Sequence, residues 1–226
     1  KIFGVLEIGD VKQIDKKDAQ ELNALHIKNL SKSYGDRRLF THLNLDVQAG
    51  QKVLIKGPSG CGKSTLFRLI TGEEIADQGE IIGVTTVNEC TSSFVSSIGI
   101  ISQHPFLFND TVRYNLTLGQ EFSDEEVIAV LKQVKLDFEL TGGMDFIIKN
   151  NGENISGGQR VRIELARFLL RRKNLLLADE VTATLDKENA FMVHELLFSL
   201  PVMMLEIAHH IDDESRYQQV VDLGKY

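Results

Sequence analysis

Gly57-Pro58-Ser59-Gly60-Cys61-Gly62-Lys63-Ser64-Thr65 is the stretch on which the reading of this chain turns. It fits G-x-x-x-x-G-K-[ST], a pattern that gains meaning when a strand precedes it and a helix follows. Both flanks are present: Lys52-Val53-Leu54-Ile55-Lys56 reads as a short strand, and Leu66-Phe67-Arg68-Leu69-Ile70 as a helix. Glycines at 57, 60 and 62 allow dihedrals that a side chain forbids, so successive N–H groups turn toward one point. The helix aims its positive end at that point too. Lys63 adds a full charge for β- and γ-phosphates, and the Ser64 hydroxyl suits Mg²⁺. A glycine-rich turn that merely precedes a helix would not need Lys-Ser-Thr in register. The stretch predicts a bound nucleoside triphosphate and is silent on what the energy is used for.

The 226 residues suffice for one large domain, or for a core with a subdomain. Hydrophobic content of 42% and charged content of 25% are those of a globular chain. A formal charge of −7 carries no basic footprint and argues against a nucleic-acid partner. Cys61 and Cys90 are too few for a disulfide framework and fit no metal spacing, which points to a reducing compartment. No run approaches the roughly 18 apolar residues of a membrane span, and no signal peptide is evident. The chain starts at Lys1 rather than Met, as expected of a piece of something longer.

Residues 1–24 read as an apolar end, Ile2-Phe3-Gly4-Val5-Leu6, followed by a charged linker. Alternation then predicts strands over Ala24–Tyr34 and Leu39–Val47, and further strands at Gly79–Val84 and Ile98–Ile101. From Pro105 the texture turns helical, with Asp110 or Thr111 near one N-cap and Ser123-Asp124-Glu125-Glu126 resembling a capping box. A helix-rich insert is expected over about 105–170, ending in a helix from Ser156 to Leu170 whose arginines read as a solvated face. Asn174–Ala178 and Val202–Ala208 read as buried strands around a helix from Glu188, and Val220–Leu223 as a last hairpin strand. Strands alternating with helices predict an α/β fold with a mostly parallel core sheet.

Two further stretches carry chemistry. Leu175-Leu176-Leu177-Ala178-Asp179 sets a carboxylate at the mouth of a central strand, where it can hold Mg²⁺, and Glu180 is placed to polarise a water. Ile155-Ser156-Gly157-Gly158-Gln159 opens a helix and offers a second set of backbone donors to an anion. One triphosphate does not need two such sites in one chain, so the second is expected to close over the γ-phosphate held by another copy.

With these motifs in this order, the chain from about Leu25 to Tyr226 strongly resembles the nucleotide-binding domains of ABC transporters. The resemblance implies a P-loop NTPase (RecA-like) core with a small antiparallel β-subdomain and a helical subdomain, binding ATP and Mg²⁺. It implies that Tyr34 stacks on adenine, and that Thr65 joins Ser64 at the phosphates. It implies that Gln103 meets Mg²⁺ and the attacking water and links the site to a transmembrane partner. Glu180 looks like the general base, His209 like the switch histidine, and Asp186, in Thr182–Asp186, like the acid of the loop that touches the opposite subunit.

Some positions depart from the family pattern: Ile155 stands for the usual leucine, His210 for a frequent arginine, and Thr182 and Thr184 for smaller residues. Gln103-His104-Pro105-Phe106-Leu107-Phe108 with Thr111–Leu116 looks like the exporter type, as does the leading linker. The resemblance therefore implies a homodimerising ATPase that powers export, joined to a transmembrane domain and placed at the cytoplasmic face of a membrane. A stand-alone importer ATPase, or an ABC ATPase not devoted to transport, is the alternative.

Overall fold

A computed structural model describes residues 21–226 apart from 86–88, 91–92, 104, 137–141, 209–210 and 212. The chain runs β1 (Leu22–Tyr34), β2 (Arg37–Gln48), β3 (Lys52–Lys56), α1 (Lys63–Ile70), β4 (Gln78–Thr85), β5 (Glu89–Cys90) and β6 (Ile98–Ile101). It continues through α2 (Val112–Thr117), α3 (Asp124–Gln133), α4 (Gly157–Leu170), β7 (Leu175–Asp179), α5 (Lys187–Ser199), β8 (Met203–Ile207) and β9 (Gln219–Asp222). Most of the linker expected over 1–24 lies outside the described residues, and β1 already begins at Leu22.

Two sheets form. One is antiparallel in the order β2-β1-β4-β5; the other is parallel in the order β6-β7-β8-β3-β9. Strand alternation distributes the core between the two faces of the parallel sheet. Val53, Ile55, Leu175, Leu177, Met203, Leu205 and Ile207 pack with α1 and the antiparallel sheet, against Leu25, Ile27, Leu43 and Leu66. Leu54, Leu176, Ala178 and Met204 face the other way, among residues of α2, α3, α4 and α5. Burial on both faces is why these strands read as continuous apolar runs.

The last strand is not the hairpin strand expected from sequence. It runs parallel to β3, from Val53 opposite Gln219 to Lys56 opposite Asp222. A hairpin would set it antiparallel beside β8, but both edges of β8 are taken, by β7 and by β3. The chain therefore crosses to the open edge of β3.

The helical part follows its caps. Thr111 accepts from Tyr114 N–H at the start of α2, and Ser123 with Glu126 makes a capping box on α3. The solvated face expected of the arginines in and just after α4 is only partly present: Arg172 is exposed and lies 3.8 Å from Glu126, whereas Arg162, Arg167 and Arg171 turn to backbone carbonyls. Arg162 is buried and donates to the carbonyls of Gly158 (3.3 Å) and Lys135 (2.9 Å). Arg167 reaches the carbonyl of Phe106 (2.8 Å), and Arg171 those of Leu116 (3.0 Å) and Thr117 (3.1 Å). A helix leaves its last carbonyls unpaired, and guanidinium groups satisfy those of α2, which binds α2 to α4.

A carboxyl group lies fully buried in the parallel sheet. Glu206 of β8 receives the Tyr217 hydroxyl at 2.7 Å on one oxygen and lies 2.9 Å from His194 Nε2 on the other. Burial and the neighbouring carboxylate push the Tyr217 phenol up, so it stays a donor at any physiological pH. Tyr217→Phe strips one oxygen of its partner inside the core and is expected to cost about 1–3 kcal/mol. A fall in the urea midpoint checks this; an unchanged midpoint would mean that the bond adds nothing net.

Candidate active site

The loop between β3 and α1 stands at the carboxyl end of the parallel strands, where open α/β sheets present their crevices. Gly60 and Gly62 take φ of 76° and 106°, and Gly62 caps α1 without any side chain over the first N–H groups. A Cβ on Gly62 would lie 3.0 Å from Leu39 Cβ and 3.1 Å from the Phe40 ring, so glycine is needed for space as well as for dihedral. Unpaired donors at the start of α1 thus remain directed outward, toward any anion in the crevice. Lys63 is buried, and its ammonium donates to the carbonyls of Gly57 (2.9 Å) and Pro58 (3.1 Å).

A cavity of about 340 Å³ opens over this loop. Of the residues singled out from sequence, it brings together Tyr34, Ser59, Gly60, Gly62, Lys63, Ser64, Thr65 and Glu180. Gly57, Pro58 and Cys61 shape the loop behind that lining. Glu180 follows β7 in a left-handed conformation at φ 50°, with its N–H bonded to Ile207 O at 2.9 Å. That turn directs the chain out of the sheet beside the loop, with Asp179 one residue earlier at the strand end. Donors, an ammonium and a carboxylate around one crevice fit a triphosphate with its metal ion.

The structure sets the other predicted residues apart from this lining. Gln103 is half-buried beyond the end of β6. Ser156 caps α4, accepting from Gln159 N–H while Gln159 Oε1 accepts from Ser156 N–H. A Cβ on Gly157 would meet Leu185 at 2.8 Å, and one on Gly158 would meet Asn189 Oδ1 at 2.5 Å. The segment is thereby packed onto the start of α5. Asp186 caps α5, accepting from Asn189 N–H (3.0 Å) and Nδ2 (2.7 Å), bonds that hold its carboxyl below the usual range. His209 and His210 lie outside the described residues.

Arg37 belongs to the cavity lining and was not singled out from sequence. Its Nη2 donates to Gly60 O at 2.8 Å. The signal was there: a two-residue turn, Gly35-Asp36, makes Arg37 the cross-strand partner of Tyr34. A residue already credited with facing the nucleotide therefore brings Arg37 to the same rim. Glu164 is a second residue outside the motifs. It stands on α4 and accepts from Ser102 N–H at 3.1 Å, one residue before Gln103. Burial pushes its carboxyl up to about 7, against the lowering effect of that bond and of Arg167.

Comparison with known proteins is consistent with this geometry. The profile of the family described as ABC transporter matches residues 40–183. The chain is 36% identical over 230 residues to an ATP-dependent lipid A-core flippase of Francisella tularensis subsp. holarctica, covering 97% of this chain and 38% of that protein. A protein of the same name in Desulfotalea psychrophila is 36% identical over 237 residues, covering 100% of this chain and 41% of that protein. The solved structure of a bacterial Atm1-family ABC exporter with ATP bound superposes with a TM-score of 0.75 at 29% identity, over 91% of this chain and 38% of that one. The chain thus spans about two fifths of the length of the curated relatives it matches.

Glu164 gives the site a pH dependence with a definite sign. Its folded pKa lies above the unfolded one, so the folded state favours the neutral acid. The stabilisation is full below the unfolded value near 4.5 and is lost as pH rises through about 7. Glu164→Gln keeps an acceptor for Ser102 and removes the charge. It is expected to match the wild type in acid and to exceed its stability by roughly 1–3 kcal/mol at about pH 8. Denaturant unfolding across pH checks this; a gain that does not grow with pH would contradict it.

Proposed function

Because this chain belongs to the ABC transporter family, we propose that it is the ATP-binding and ATP-hydrolysing domain of an exporter, working as a dimer against a transmembrane partner. The observation that carries this reading is the cavity shared by Lys63, Ser64, the α1 terminus and Glu180. The flippases and the ATP-bound exporter among its relatives support export over import.

The work of the site is positioning and electrostatics. Backbone donors of Gly60–Ser64 and the Lys63 ammonium bind the β- and γ-phosphates, while Tyr34 offers an aromatic face to the base. Arg37 adds a second cation at the rim. Mg²⁺, when bound, would neutralise charge on the phosphate oxygens; Ser64, Asp179 and Gln103 are the residues that would hold it. Glu180 accepts a proton from the attacking water, and His209 supports the γ-phosphate. Ser156, Gly157, Gly158 and Gln159 of a second copy complete the site, and a two-fold axis makes two such sites. The loop of Asp186 lies between them.

A transmembrane partner is supported by surface chemistry. Phe106, 60% exposed, meets Phe108 edge-on at 5.1 Å, and Phe108 meets Tyr114 at 5.8 Å. Such an exposed aromatic patch suits a docked partner, and it follows Gln103 in the chain. No helix among the described residues is long and apolar enough to cross a membrane, so the membrane partner is another segment or chain. This reading places the domain at the cytoplasmic face of that membrane.

Glu180→Gln is expected to bind ATP like the wild type, to lose at least about a hundredfold in turnover, and to accumulate as an ATP-bound dimer in size-exclusion chromatography with light scattering. Normal turnover would refute the base assignment. His209→Ala is expected to slow hydrolysis in the same assay, and full rate would remove His209 from the reading.

A further inference from the structure

Tyr34 ends β1 with 44% of its surface exposed, a degree of exposure at which a side chain ordinarily exchanges rotamers. Here three charged side chains hold it. Its hydroxyl donates to Glu74 Oε2 at 3.0 Å and receives Arg68 Nη2 at 3.4 Å. The Lys32 ammonium lies over the ring, 5.1 Å from its centroid, and 3.0 Å from Glu74 Oε1. Lys32 is itself buried and anchored on Ile75 O at 2.7 Å. Glu74 is thus the hub, with one oxygen on the ammonium and the other on the phenol. The hydrogen bond from Lys32, and then that from Tyr34, hold its carboxyl below the usual range, so it is an acceptor at neutral pH. Arg68 extends the chain of contacts to Thr65 Oγ1 at 3.3 Å, within the phosphate loop.

A purely structural role would be to tie the loop after α1 to β1. Asp77 already makes that tie: it accepts from Ser33 N–H (2.7 Å) and Ser33 Oγ (2.6 Å), and its own N–H donates to Ser31 O at 3.0 Å. What Glu74 adds is the fixed attitude of a ring that lines the nucleotide cavity. With Lys32 over one face, the ring has one face left for a flat base.

We propose that Glu74, supported by Lys32 and Arg68, is a positioning residue that locks Tyr34 to receive the purine base, and so sets affinity through the base rather than through the phosphates. Fixing the ring beforehand removes an ordering cost that binding would otherwise carry. The inference rests on the ATP-binding reading above.

The test compares two ligands on the 226-residue chain: MgATP, and inorganic tripolyphosphate, which lacks a base, both measured by displacement of a fluorescent ATP analogue. Glu74→Ala is expected to raise the Kd for MgATP about fivefold and to leave that for tripolyphosphate unchanged. Tyr34→Phe, which keeps the ring and loses the hydroxyl, should follow it. Glu74→Gln, which keeps an oxygen for the phenol, should recover most of the affinity. Equal weakening toward both ligands, or unchanged MgATP affinity in Glu74→Ala and Tyr34→Phe alike, overturns the proposal while leaving the ATP-binding reading intact. A wild-type chain that fails to bind MgATP overturns both.

Discussion

The backbone of Gly62, at φ 106° and ψ 14°, ends the loop after β3 and begins α1 with its first N–H groups uncovered. For any other residue the left-handed region costs roughly 1–2 kcal/mol, and here a Cβ would also press on Phe40. Phe40 belongs to β2, so the same glycine fixes how near the antiparallel sheet comes to the loop. That approach is what brings the turn between β1 and β2 to the rim of the cavity, with Tyr34 and Arg37 on its two sides. One backbone conformation therefore decides both the anion-binding end of α1 and the approach of the sheet that carries the aromatic.

Behind the loop, the parallel sheet is covered by apolar residues on both faces, and buried charged groups within it are matched to backbone or to one another. Lys52 is buried at the start of β3, where its ammonium donates to Leu200 O at 2.8 Å; burial lowers its pKa to about 8. That bond fastens the end of α5 to the strand that feeds the loop. Arg162, Arg167 and Arg171 perform the same service on the other side, each capping carbonyls that a helix or loop leaves open. Guanidinium suits this task because several donors project from one rigid plane. The segment after Gln103 is consequently bonded to α4, which is capped by Ser156, so the two regions form one connected body.

The sequence made the phosphate loop, the strand ending in Asp179, the capping box at Ser123 and the helix opening at Ser156 legible because each is a local rule, satisfied within a few residues of chain. The hairpin expected of Val220–Leu223 failed because strand pairing is decided by which sheet edges remain open, and that depends on β3, β7 and β8 together. The arginines of α4 were misread for a related reason. Charge on a helix looks like solvent exposure until one knows that open carbonyls lie across from it, and those belong to Lys135 and to residues 106–117. Arg37 and Glu74 escaped notice because neither sits in a motif. Their positions follow from the pairing of β1 with β2 and from the fold of the loop after α1.

The two segments proposed to face an anion stand in different states of readiness. Ser156 accepts from Gln159 N–H, yet a hydroxyl that accepts still has a hydrogen to donate, so the capping bond does not consume its capacity toward an anion. Leu185 and Asn189, packed against Gly157 and Gly158, hold that segment in shape without any ligand. The Lys63 ammonium, by contrast, is engaged with the Gly57 and Pro58 carbonyls. To reach a phosphate it must trade neutral acceptors for anionic ones, an exchange that favours the phosphate because opposite full charges attract where a neutral carbonyl offers only its dipole. On this reading, binding at the loop would rearrange one cation, whereas the Ser156 segment is already held in shape. On the proposed dimeric reading, a preformed surface that meets its anion only when a second copy approaches would reward closure after the triphosphate is seated, and that ordering would let nucleotide binding drive dimerisation rather than merely accompany it.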